Sequence, residues 1–134
     1  MNKPSASAGR GPSQRQLRVG ELVRRTLSEI LSRGEIHDPD LNRLSITVGE
    51  VRVTPDLRTG TAFVLPLGGQ NQDEAIALLA RNKGEIRRLL GKKCDLRFVP
   101  DLRFRIDDTF DRMDETRRLF AQDEVRRDLD GDEE

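Results

Sequence analysis

LLARNKGEIRRLLGKK, from Leu78 to Lys93, carries aliphatic residues at helical spacing and a glycine, Gly84, in its middle. It holds six basic residues (Arg81, Lys83, Arg87, Arg88, Lys92 and Lys93) against one acid, Glu85. A straight helix over 74–90 places Ile76, Leu79, Ala80, Ile86 and Leu90 within a stripe of about 120°. Lys83 and Arg87 fall in the same stripe. Both would point at the core, which is costly unless they are paired or snorkel to solvent. A break near Asn82–Gly84 removes the conflict, and both residues are poor helix formers. The stretch therefore predicts two helices with a joint at Asn82, Lys83 and Gly84, and with Lys83 and Arg87 turned outward. A joint also frees backbone N–H groups at the start of the second helix, a seat for a phosphate oxygen. Lys83, Arg87 and Arg88 would surround that seat, Lys92 and Lys93 would extend the patch, and Arg81 is expected to bind RNA with them.

Upstream, Ser13 opens SQRQ, with Gln16 three residues on, the pattern of a capping box. Val19, Leu22, Val23, Leu27, Ile30 and Leu31 then trace one helical stripe, and Gly34 suits a C-terminal cap. A first helix is expected over about 14–33, with Arg15, Arg18, Arg24 and Arg25 on its outer face. HDPDLNR (37–43) reads as a connector. Leu44, Ile46 and Val48 alternate, and Val51 and Val53 continue in the opposite phase. That shift predicts a bulge at Gly49–Glu50. A second strand over 61–65 follows a turn at Pro55–Asp56, making a hairpin.

Asp73 is placed to cap the helix that starts at Glu74. Downstream of the joint, Leu96, Phe98, Leu102, Phe104 and Ile106 alternate with Arg97, Val99, Arg103 and Arg105. This predicts a last strand over 96–106, edged or bent at Pro100. The order helix, strand, strand, helix, kink, helix, strand gives an α+β fold, with helices packed on one face of a three-stranded sheet.

The chain has 134 residues and a formal net charge of zero, which hides a split. Residues 1–100 carry 17 basic and 11 acidic side chains, and residues 101–134 carry 7 and 13. A basic body that meets an anion and an acidic tail are the expectation. Residues 1–12 read as a disordered tail, 13–107 as the folded domain, and 108–134 as an acidic extension. Phe110, Met113, Leu119 and Phe120 place a short helix in that extension. The lone cysteine, Cys94, excludes an internal disulfide and suits the cytoplasm. No apolar run is long enough to span a bilayer, so no membrane role is expected.

The order of elements is that of a type II KH domain, and the chain more specifically resembles the ribosome-binding factor A family. RVGELVRRTLSEIL, DPDL, LSITVGEVRVTPDLRTGTAFVLPL and IRRLLGKKCDLRFVPDLRFRIDDTF carry the resemblance, which spans Gln14 to Phe110. KH domains clamp a nucleic-acid backbone with a Gly-x-x-Gly loop. Here Asn82-Lys83-Gly84 has no second glycine at that spacing. The family's Ala-x-Gly kink replaces the loop; Gly84 matches it, and Asn82 stands where alanine is usual. The resemblance implies a non-enzymatic, KH-like RNA-binding assembly factor. It would bind the small (30S) ribosomal subunit and its 16S rRNA late in maturation, near the decoding region and neck. It would support processing of the 16S precursor's 5′ end and growth in the cold.

Neither cofactor, metal nor small-molecule substrate is expected, and a monomer is. His37 is the only histidine and lies in a turn. With no second His or Cys there is no catalytic dyad or zinc site to build. Asp107, Asp108 and Asp111 lack the glycine and terminal glutamate of a calcium loop. With no Trp or Tyr, and the five Phe mostly at core-like positions, recognition should rest on phosphates and shape rather than on stacking. The alternative is a protein-interaction module acting through the acidic C-terminal segment. Nuclease treatment of the partner separates the two.

Overall fold

The computed structural model describes residues 11–108. Nearly all of the expected N-terminal tail, and the extension beyond Asp108 with its Phe110–Phe120 helix, lie outside the described residues.

Helix α1 is Gln14–Ser32. Ser13 Oγ accepts from the Gln16 N–H at 3.1 Å, and Gln16 Oε1 accepts from the Ser13 N–H at 2.9 Å, so the capping box is complete. The helix buries Gly20, Val23, Leu27 and Ile30. A Cβ at Gly20 would sit 2.5 Å from the Val51 carbonyl oxygen, so glycine here lets helix and sheet close up. At the far end Gly34 takes φ +63°, and the Gly34 and Glu35 amides return to Leu31 and Ile30. The expected connector contains one helical turn, α2 (Pro39–Asn42), because Asp38 caps it and Pro39 pre-sets its first turn.

β1 (Ile46–Val53) and β2 (Thr59–Pro66) form the antiparallel hairpin. Pairing slips between Val48↔Val64 and Glu50↔Phe63, which makes Gly49 the bulge. The slip keeps Val48, Val51 and Val53 on the buried face. β3 (Asp101–Ile106) pairs parallel with β2, so the sheet order is β1-β2-β3. Helices α3 (Gln72–Arg81) and α4 (Lys83–Lys93) make the crossover between them. Leu27 and Ile30 of α1, with Leu79, Ile86 and Leu90 of the crossover, close the core over Ala62, Val64 and Leu102. This is the expected α+β arrangement.

Three local expectations change. α3 starts at Gln72 rather than Glu74, and its cap position is Asn71, in a left-handed conformation (φ 58°), rather than Asp73. Ala80, inside the stripe of a straight helix, is exposed, while α3 buries Ala75, Leu78 and Leu79. The last strand begins at Asp101 rather than at Leu96. The Arg87 guanidinium donates to the carbonyls of Val99 (2.8 Å) and Pro100 (3.2 Å). Pro100 has no N–H to give, and pairing resumes when the Asp101 amide reaches the Arg58 carbonyl at 2.8 Å.

Candidate nucleic-acid interface

The break between α3 and α4 falls at Asn82, with φ −100° and ψ 15°. The Asn82 amide still bonds back to Leu78 and Leu79, and Ile86 N–H bonds to the Asn82 carbonyl. The amides of Lys83, Gly84 and Glu85 then open α4, where they have no carbonyl partner within their own helix, and the Asn82 side chain does not cap them. They carry the partial positive charge of a helix N-terminus.

Asn82 is fixed by its side chain. Its Nδ2 donates to Asp38 Oδ2 at 2.6 Å and to the Leu78 carbonyl at 2.8 Å. Arg81 donates to the same carboxylate oxygen at 2.6 Å, while Asp38 Oδ1 accepts from the Asp40 N–H at 3.1 Å and caps α2. The Asn82 hydrogen bond, then the Arg81 guanidinium, lower the pKa of the Asp38 carboxyl from 3.8 to about 2. A bond from the side chain fixes the joint where the sequence suggests only tolerance of unusual angles.

Gly84 lies inside α4, and a Cβ there would meet nothing within 4 Å. The protein itself does not crowd Gly84 on that side. Arg88 and Lys92 follow Gly84 at intervals of four residues, so each is about 6 Å further along the same face. Gly84, Arg88 and Lys92 are all exposed. Arg88 has only a loose ion pair, at 3.9 Å, with Glu85. That glutamate faces the exposed His37, whose Nδ1 lies 2.9 Å from it.

Several residues of the expected basic patch are committed within the fold. Arg81 is held by Asp38, which raises its pKa, with a longer contact of 3.6 Å to Asp40. Lys83 meets Asp101 at 3.3 Å. Arg87 is half-buried, clamping Val99 and Pro100, and does not swing outward. Lys93 bridges Glu35 (3.2 Å) and Glu29 (3.3 Å), and those two carboxylates raise its pKa. Arg24 is bidentate to Glu21, which raises its pKa in turn. Arg15, Arg18, Arg25 and Lys92 are exposed, with no side-chain hydrogen bond or ion pair among the described residues. Cys94 is buried, with its Sγ 3.3 Å from Thr26 Oγ1.

The family model described as ribosome-binding factor A matches residues 15–120. The chain belongs to the ribosome-binding factor A family. Ribosome-binding factor A of Ruegeria pomeroyi is 68% identical over 130 residues, covering 97% of this chain and 99% of that protein. The crystal structure of ribosome-binding factor A from Thermus thermophilus shares the fold at 23% identity and a TM-score of 0.58, covering 68% of this chain and 94% of that one. A Thermus thermophilus homology model, fitted into the cryo-EM map of a 30S complex, is similar at 22% identity and a TM-score of 0.54, covering 66% and 90%.

On this ribosome-binding factor A fold, sequence reasoning missed four exposed arginines: Arg58, Arg97, Arg103 and Arg105. None makes a side-chain hydrogen bond or ion pair among the described residues. The alternation of arginine with apolar residues over 96–106 was the signal that could have found three of them. It also misplaced Phe98, which is 55% exposed. Phe63 and Phe104 are half-buried, and Arg52 covers the Phe63 ring at 5.3 Å. Among the described residues, no helix is long and apolar enough to cross a membrane, and no cluster of side chains is built to hold a metal ion.

Proposed function

We propose that the chain is a non-enzymatic assembly factor that binds the small ribosomal subunit through its 16S rRNA. One observation carries this reading: the three first-turn amides of α4, left without a side-chain cap from Asn82, stand at the head of the exposed row of Gly84, Arg88 and Lys92. Helix N-termini hold phosphate oxygens through such amides, and a following row of cations continues the grip along a strand. Arg15, Arg18 and Arg25 on α1 add charge to the element beside it. Family membership supports the target, and the Thermus thermophilus relative fitted in a 30S map is in keeping with it.

On this reading the chain acts as a cytoplasmic monomer on late precursors. It supports maturation of the 16S 5′ end and growth in the cold, without a cofactor. Co-sedimentation with isolated small subunits and with intact ribosomes, across a salt series, tests it. Binding should favour free small subunits and fall steeply with salt, because released counterions drive contacts to phosphates. Binding indifferent to salt, or no binding to subunits, overturns the reading.

A further inference from the structure

We propose that a second site, separate from the row on α4, takes one unpaired nucleotide of RNA, with its base stacked on Phe98. This rests on the reading of the chain as an RNA binder and adds a base-contacting site to it. Phe98 borders an open cleft of about 630 Å³, lined also by α1, the β1–β2 turn and the segment after α4. That volume is within the range of small-molecule sites. The cleft shares no residue with Gly84, Arg88 or Lys92.

Three arginines from three different elements converge on it: Arg15 of α1, Arg58 of the turn and Arg97 beside Phe98. None of the three guanidiniums makes a hydrogen bond or ion pair among the described residues. Two carboxylates also line the cleft. Asp56 serves its own turn through one oxygen, with Oδ1 accepting from Thr54 Oγ1 at 2.6 Å and from the Arg58 N–H at 3.1 Å. Asp95 is exposed and free to accept from an exocyclic amine of a base. An exposed aromatic face, three guanidiniums and a carboxylate acceptor at Asp95 match a nucleotide: a π-face to stack, a phosphate to neutralise and an amino edge to bond.

The walls are fixed before any ligand arrives. The segment bearing Phe98 is anchored at its start by Cys94 on Thr26, and after Phe98 by Arg87 on Val99 and Pro100. On the facing turn, Leu57 has φ 62°, a strained conformation for leucine. Its side chain packs against the core and lines the cleft, so packing offsets the strain. A duplex keeps its bases stacked, so the occupant is a base from a loop, bulge or end.

The chain has no Trp or Tyr, so Phe98→Trp installs a single fluorescent reporter at the site. The full chain with this substitution is titrated with a short unstructured RNA, with an abasic RNA of equal length, and with isolated small subunits. The expected result is saturable quenching by the RNA and the subunits, and none by the abasic strand. Phe98→Ala, at an exposed position, should melt like the parent and bind subunits roughly tenfold more weakly, as for one lost stack. Equal quenching by the abasic strand reduces the cleft to a charged surface and overturns the proposal. So does quenching by subunits that survives digestion of their RNA, since a ribosomal protein would then fill the cleft. Subunits that sediment with the chain yet leave the reporter and the Phe98→Ala affinity unchanged sink this site alone. Failure of the parent to bind subunits sinks the broader reading and this one together.

Discussion

Asn82 Nδ2 lies 2.6 Å from Asp38 Oδ2, which ties the joint of the crossover to the residue that caps α2. One carboxylate thereby serves two elements. Its Oδ1 closes the first turn of α2, and its Oδ2 holds Asn82 and Arg81 at the end of α3. The position of the first-turn amides of α4 is set from a segment more than forty residues upstream, because Asn82 opens that helix.

Replacing Asn82 by alanine, the residue the family resemblance leads one to expect there, removes the bonds to Asp38 and to the Leu78 carbonyl. Arg81 remains on Asp38 and keeps its charge compensated. The loss should be about 1–2 kcal/mol of stability, the usual range for a part-buried hydrogen-bonding side chain. A fall in the urea midpoint at constant slope checks this. An unchanged midpoint would mean that the backbone alone sets the joint.

Asp38 also predicts a pH dependence. Its folded pKa lies below its ordinary value, at about 2 against 3.8. The unfolded state therefore binds the proton first as pH falls. The contribution is complete above the ordinary value and disappears as pH drops through about 2. Glu21 and Asp56, lowered by Arg24 and by the Thr54 hydroxyl respectively, add to the same trend. Urea midpoints of the parent and of Asp38→Asn, measured from neutral pH into the acid range, should converge at the acid end. A gap that stays constant across that range removes Asp38 as its source.

Arg87 and Arg88 are neighbours in sequence with opposite expected phenotypes. Arg87 satisfies two carbonyls, of Val99 and Pro100, that lie just ahead of β3. Arg87→Ala should cost about 1.5–3 kcal/mol, as for bonds from a charged donor. Arg88→Glu with Lys92→Glu changes only exposed positions and should leave the melt within about 0.5 kcal/mol of the parent. The same pair should weaken subunit binding well over tenfold and reduce its salt slope by about two. Denaturation and sedimentation of the two proteins side by side separate a clamp from a contact.

Short-range patterns were readable and long-range choices were not. The Ser13–Gln16 box, the Gly34 cap, the Gly49 bulge and the break near Asn82 each follow from residues a few positions apart. Periodicity and backbone preference suffice for those. The partners of Arg81, Lys83 and Lys93 lie on other elements, and only the folded chain decides which carboxylate each meets. The same limit hid Phe98. Alternation carried the strand back to Leu96, but a guanidinium took the carbonyls that a ladder would have used, and the ring was left in solvent. Charge counting therefore overstated the patch on the crossover and overlooked the cleft beside it.

Gly84 offers the sharpest separation of stability from binding. It sits in the first turn of α4 with open space where a Cβ would project. Alanine has the higher helix propensity and fewer unfolded conformations, so Gly84→Ala should raise stability by up to about 1 kcal/mol. The new methyl would stand where a phosphate must approach the amides of Lys83, Gly84 and Glu85. Subunit binding should fall while the urea midpoint rises. A glycine kept only for a flexible joint would give the reverse, with the alanine protein less stable. A more stable protein with undiminished binding would show that RNA does not approach the chain at this turn.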